Sequence, residues 1–201
     1  MRNILVVNSS ISGENGQSNQ LINNFVAGLP ASAAITSLDL NQNTLTHLSM
    51  PEIGAWMTAE ADRSDEQQQL AAVSDGMIAQ VKAADVILIG VPMYNFGVPS
   101  QLKAWFDRIA RAGVTFKYTD KGPVGLLEDK PVVFFLTRGG MYKDLPHDTQ
   151  TPYLVNFFNF IGLNNLHFIF AEGLNMGPDS AQTALVAAKA AIAELSAGLA
   201  A

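Results

Sequence analysis

The sequence predicts a three-layer α/β sandwich around a five-stranded parallel sheet in the order 2-1-3-4-5, and three observations carry that expectation. Apolar runs at residues 4–7, 86–91, 132–136 and 168–171 lack the in/out alternation of a half-solvated strand, so they read as strands covered on both faces. Between them lie segments whose apolar residues recur at helical spacing. Strand and helix patterns alternate five times, as expected for parallel strands joined by crossovers.

The elements follow in order. After the first strand at residues 4–7, Leu21, Ile22, Phe25, Val26 and Leu29 repeat at helical spacing and stop at Pro30. A weaker run, residues 33–40, ends in Ser37-Leu38-Asp39-Leu40 and suits an edge strand with one face in water. The second helix carries Leu70, Val73, Met77, Ile78 and Val81 inward. Ser64 and Gln67 have the spacing of a capping box, and Asp65 and Glu66 complement the helix dipole. The third helix opens at Pro99, whose fixed φ suits a first turn, runs through Leu102, Trp105, Phe106 and Ile109, and ends before Gly113. Residues 153–161 give a fourth helix closed by Gly162. An Ala-rich helix from about Asp179 turns Leu185, Ile192 and Leu195 inward. No repeat or linker divides the chain, so residues 1–201 are expected to form a single domain. Residues 41–63, with Trp56, and 113–130, with Phe116 and Tyr118, exceed ordinary loop length, and long loops in compact domains often carry function.

Composition narrows the function classes. Hydrophobic residues make up 48% and charged residues only 15%, below the roughly 25% of ordinary domains, so part of the surface is neutral or covered by a second subunit. A net charge of −6 argues against nucleic-acid or acidic-membrane partners, which need Lys and Arg against phosphates. The chain has no cysteine, which removes disulfides, thiolate metal sites, iron–sulfur clusters and thiol catalysis, and any redox chemistry must come from a cofactor. The first apolar run is too short for a leader and no run approaches the ~20 residues that span a bilayer, so the expected location is the cytoplasm.

In an open parallel sheet, ligands bind beyond the carboxyl ends of the strands where strand order reverses, here between strands one and three. Strand one is followed by Asn8-Ser9-Ser10-Ile11-Ser12-Gly13-Glu14-Asn15-Gly16-Gln17-Ser18, hydroxyls and glycines leading directly into a helix. Helix N–H groups and the Ser10 and Ser18 hydroxyls suit a phosphate; equally, the serines could serve as helix caps. Glu14 is expected to face solvent. The loop contains neither G-x-x-x-x-G-K-[ST] nor G-x-G-x-x-G. Strand three is followed by Pro92-Met93-Tyr94-Asn95-Phe96-Gly97-Val98-Pro99, which sets aromatic rings beside a carboxamide and suits a flat aromatic ligand. Strand four is followed by Thr137-Arg138-Gly139-Gly140, where paired glycines either let backbone N–H groups approach a ligand or form a plain turn.

These segments resemble the FMN-dependent NADH-azoreductase/quinone reductase family. So do Gln101-Leu102-Lys103, Ala110-Arg111-Ala112-Gly113-Val114-Thr115-Phe116, Thr151-Pro152-Tyr153-Leu154 and Phe170-Ala171-Glu172-Gly173, in the same order along nearly the whole chain. The resemblance implies a flavodoxin-like fold and a homodimer with FMN at the subunit interface. It also implies NADH-driven reduction of quinones and of the azo bond by a two-step, ping-pong hydride transfer through flavin N5. By resemblance, Ser10, Gly16, Gln17 and Ser18 hold the FMN phosphate. Met93, Tyr94, Asn95 and Phe96 would hold the isoalloxazine ring with Thr137, Arg138, Gly139 and Gly140, and Tyr118 and Phe160 would line the acceptor cavity. Gly16 and Thr137 stand where serines are expected.

Asn95 and the Gly139 and Gly140 amides are candidate donors for negative charge that builds on a reduced ring. No protein acid or base is required, no catalytic residue is assigned, and no metal-site pattern is present. His167 reads as a framework residue, His147 as a loop residue within possible reach of substrate, and His47 carries no signal. Trp56 and Phe116 are further candidates for the cavity wall, and Trp105 reads as packing or dimer contact. The alternatives are a flavodoxin-type electron carrier, which predicts a shorter chain, and a phosphate-binding module without flavin.

Overall fold

The computed structural model describes residues 2–200. In chain order its elements are β1 (Asn3–Asn8), α1 (Gln17–Ala27), β2 (Ala34–Asp39), α2 (Met50–Met57), α3 (Asp65–Ala83), β3 (Val86–Pro92), α4 (Ser100–Ile109), β4 (Phe116–Thr119), β5 (Gly122–Gly125), β6 (Val132–Thr137), α5 (Gln150–Ile161), β7 (Leu166–Ala171) and α6 (Pro178–Ala200). The main sheet is parallel throughout and ordered β2-β1-β3-β6-β7, which is the predicted order with the small hairpin β4–β5 set apart.

Alternate residues of each central strand enter opposite cores, and this makes three layers. Leu5, Val7, Ile87, Ile89, Phe134 and Leu136 face α3, α4 and α5, whereas Ile4, Val6, Leu88, Val133 and Phe135 face α1 and α6. β3 and β6 are buried along their whole length, which explains their uninterrupted hydrophobicity. β2 is exposed over most of its length, as an edge strand should be. Trp105 is completely buried within the chain and serves as packing.

Helix ends follow their signals. Ser64 accepts from Gln67 N at 3.3 Å while its own N–H donates to Gln67 Oε1 at 3.0 Å, the predicted capping box. α5 closes on Gly162 at φ +103°, a left-handed cap that favours glycine. It opens three residues earlier than its apolar pattern, because Asp148 accepts from the Thr151 amide at 2.9 Å and so caps the turn.

The two long stretches are built, not loose. Residues 41–63 contain α2, started by a second capping box at Ser49 and Glu52 with Pro51 in its first turn. Glu52 then pairs with Arg108 at 2.7 Å, both buried, which pins α2 beneath α4. Residues 113–130 form the β4–β5 hairpin, rooted where Gly125 meets the Gly162 backbone so closely that an added Cβ would lie 2.5 Å from Ile161 C. Among the described residues, no helix is long and apolar enough to cross a membrane.

Candidate functional site

Strand order reverses between β1 and β3, so the crevice opens at Asn8 and Pro92, with the end of β6 beside it. Ser9 closes the first edge by donating its hydroxyl to Gly90 O at 2.5 Å. The chain then turns through a short 3-10 segment, Gly13–Asn15, with Gly13 at φ +55°, and enters α1 with Gly16 as N-cap. A glycine offers no side-chain cap, and the Gln17, Ser18 and Asn19 amides have no acceptor among the described residues. The site therefore has free N–H groups at a positive helix end. Ser10 Oγ accepts from Ser12 N at 3.3 Å and lies 3.4 Å from Tyr94 Oη, which itself accepts from Ile11 N at 3.3 Å. Ser18 is completely buried and its hydroxyl has no partner among the described residues. Glycine at position 16 has a steric reason: a Cβ there would meet Ser10 Oγ and would come within 2.6 Å of Ser10 Cβ. Glu14 is exposed.

The second edge is a strained turn. Asn95 and Phe96 have φ of +50° and +64°, and the Tyr94 and Gly97 amides and carbonyls exchange hydrogen bonds of 3.1 and 3.0 Å around them. Left-handed backbone costs an L-residue about 1–2 kcal/mol, so two in succession persist only where neighbours compensate. The turn holds the Asn95 carboxamide and the Phe96 ring outward, both exposed, and Phe96 meets Tyr142 edge-on at 5.7 Å. Met93 N–H donates to Thr137 O at 2.9 Å, joining this edge to the third.

At the third edge Thr137 is buried, and the Gly139 and Gly140 amides have no acceptor among the described residues. Their carbonyls are taken by Asn175 N at 3.0 Å and Gly173 N at 2.9 Å. A Cβ on Gly139 would lie 2.6 Å from Asn175 Nδ2, and one on Gly140 would lie 3.0–3.1 Å from the Tyr142 ring, so a side chain at either position would have to push that neighbour aside. Arg138 departs from the expected ring contact. Its guanidinium is buried in a bidentate pair with Asp148 at 3.0 and 3.1 Å and pairs with Glu172 at 3.0 Å. Its amide and carbonyl are occupied by Ala171 O and Leu174 N. Arg138 thus fixes the glycine loop from behind. Burial pushes Asp148 up, but the Thr151 amide and hydroxyl and the Arg138 guanidinium outweigh it and hold the carboxyl below its ordinary value. Glu172 also accepts from the Tyr142 and Lys143 amides at 2.9 Å each.

One chain does not gather every candidate. Phe160 stands ten residues along α5 from Gln150, about 15 Å away, where it packs on Phe116 at 4.2 Å, and Tyr118 projects from the hairpin, 74% exposed. Trp56 belongs to α2, and its ring lies under the Arg111 guanidinium, whose Cζ is 5.6 Å from the ring centre. Phe116 is buried under the hairpin and His147 is exposed in the loop before α5. The sequence reading missed Gln150, Asp148 and Asn175. Their roles arise from hydrogen bonds to residues distant along the chain, which leave no periodic trace.

The chain matches the family model described as flavodoxin-like fold over residues 2–195. It is 48% identical over 200 residues to an FMN-dependent NADH:quinone oxidoreductase of Alteromonas mediterranea, covering 98% of this chain and 100% of that one. A protein of the same name from Alcanivorax borkumensis is 50% identical over 190 residues, covering 93% and 96%. Among solved structures, an azoreductase from Bacillus anthracis superposes with a TM-score of 0.88 at 29% identity over 98% of this chain and 99% of that chain. By sequence and by fold, the chain belongs to the flavodoxin-like family of the FMN-dependent NADH:quinone oxidoreductases.

Proposed function

We propose that the protein is an FMN-dependent oxidoreductase that uses NADH to reduce quinones and aromatic azo compounds. The observation that carries this is the pairing of two unsatisfied donor sets across one crevice. The glycine-capped mouth of α1 and the buried Ser18 hydroxyl lie at one end, and the free Gly139 and Gly140 amides at the other. The first set fits a phosphate. The second, beside the Met93-Tyr94-Asn95-Phe96 turn, fits the polar edge of a flat heterocycle.

FMN would be held at its phosphate by Ser10, Gly16, Gln17 and Ser18. Its ring would be held by Met93, Tyr94, Asn95, Phe96, Thr137, Gly139 and Gly140, with Arg138 acting through the loop it anchors. The chemistry FMN supplies when bound is hydride acceptance from NADH at N5 and delivery to the acceptor in a second, ping-pong half-reaction. The chain's own part is donation: Asn95 Nδ2 and the two glycine amides supply fixed donors where negative charge gathers on the ring edge, without reorganisation. No side chain is needed as acid or base, since solvent protonates the product. In a homodimer, Tyr118 and Phe160 of one copy would reach the crevice of the other, which a single chain does not allow. Dependence on NADH supply fits a cytoplasmic location.

Steady NADH oxidation with a benzoquinone and added FMN tests the proposal, with parallel double-reciprocal lines expected for ping-pong turnover. Tight FMN uptake without turnover would instead identify an electron carrier, and a protein that took up no FMN would remove the flavin reading.

A further inference from the structure

Gln150 opens α5, is 1% exposed, and touches both ring-side loops at once. Its Nε2 donates to Pro92 O at 3.2 Å and to Gly97 O at 3.1 Å, and its Oε1 accepts from Arg138 Nε at 3.2 Å. The amide cannot face the other way. A guanidinium offers only donors, so the oxygen must meet Arg138 and the nitrogen must meet the two carbonyls. Arg138 is itself locked by Asp148 and Glu172, and the adjacent Thr149 hydroxyl donates to Phe96 O. Three carbonyls around the left-handed pair are therefore held from one point, the start of α5. The exchange between Tyr94 and Gly97 closes the turn on itself but does not aim it.

We propose that Gln150 is a positioning residue that keeps the Asn95 and Phe96 turn in register with the Gly139 and Gly140 amides, so that the ring site exists before its ligand arrives. The identity of that ligand rests on the flavin reading above. The brace itself is a property of the free chain and can be measured there.

Gln150→Met removes the three hydrogen bonds at nearly constant volume. In ligand-free protein, amide exchange at Tyr94 and Gly97 should quicken at least about tenfold while β1 amides stay unchanged, and the FMN Kd should rise by at least about the same factor. Gln150→Glu keeps the acceptor for Arg138 but sets a carboxylate against the Pro92 and Gly97 carbonyls. Of the charged groups around it, Asp148 and Glu172 are like-signed and Arg138 is the cation. A proton would restore a donor, so the FMN affinity of this variant should recover relative to the unsubstituted protein as pH falls from about 8 to about 5. Because a buried carboxylate also makes folding pH-dependent, the affinities are compared only at pH values where the circular dichroism of the variant matches that of the unsubstituted protein. Unchanged exchange at Tyr94 and Gly97 in Gln150→Met, or a pH-independent loss in Gln150→Glu, overturns the proposal. If Gln150→Met does not fold, the pH profile of Gln150→Glu decides alone. Quickened exchange in a protein that ignores FMN would support the brace and refute the flavin reading.

Discussion

Ser18 Oγ is a buried hydroxyl with no partner among the described residues, and such a group costs about 1–3 kcal/mol in a protein that gains nothing from it. Ser18→Ala should therefore leave the thermal midpoint of the ligand-free chain unchanged or raise it. It should weaken FMN binding at least about tenfold, since a hydrogen bond to a charged group contributes about 1.5–3 kcal/mol. Calorimetry and a fluorescence titration measure the two effects separately, and a loss of stability with intact binding would contradict the phosphate assignment. Gly140→Val is expected to displace Tyr142, whose ring occupies the space of the new Cβ, and to lower flavin occupancy with little loss of fold. A visible spectrum at saturating FMN checks it. At this scale the sequence was legible where backbone donors mattered: Gly16, Gly139 and Gly140 stood out as glycines at strand and helix ends. The pairing of Arg138 with Asp148 and Glu172 was not legible, because it depends on residues ten and thirty-four positions away.

The elements that positioned the site were written in local signals. The Ser64 capping box appears as its spacing foretold, and Ser64→Ala should cost about 1 kcal/mol, read as a lower urea midpoint with FMN affinity unchanged. The same signal at Ser49 and Glu52 marked α2, yet residues 41–63 read as loop because an eight-residue helix has too few turns to show a period. The hairpin was hidden for another reason: what fixes β4 and β5 is the approach of Gly125 to Gly162, a tertiary contact across 37 positions. Gly125→Ala puts a carbon into that backbone and should destabilise the protein by about 2 kcal/mol or more in urea unfolding, more than an exposed helix substitution.

For the molecule as a whole, acid stability should reflect Asp148. Its carboxyl sits below the ordinary value of about 3.9 in the folded state, so its contribution is complete above that value and is lost as pH falls through the lower folded one. The unfolding midpoint should decline below about pH 4, and Asp148→Asn should flatten that limb. At the alkaline end, burial pushes the Tyr153 phenol up to about 12, with Asp107 adding to it. The neutral phenol therefore favours the fold below about pH 10, and that advantage fades as pH climbs towards 12. The layer order was legible because β3 and β6, buried on both faces, show as uninterrupted apolar runs set between helical patterns.

Sheet order also sets a timetable. β1 leaves the ribosome early, but the carbonyl that Ser9 must meet belongs to Gly90, and the carboxylate that anchors the glycine loop belongs to Glu172. During synthesis the first loop therefore waits for β3, and α1 itself waits for β6 and α6, whose Phe135, Ala188 and Ile192 share its core, so both ends of the crevice are completed late and together.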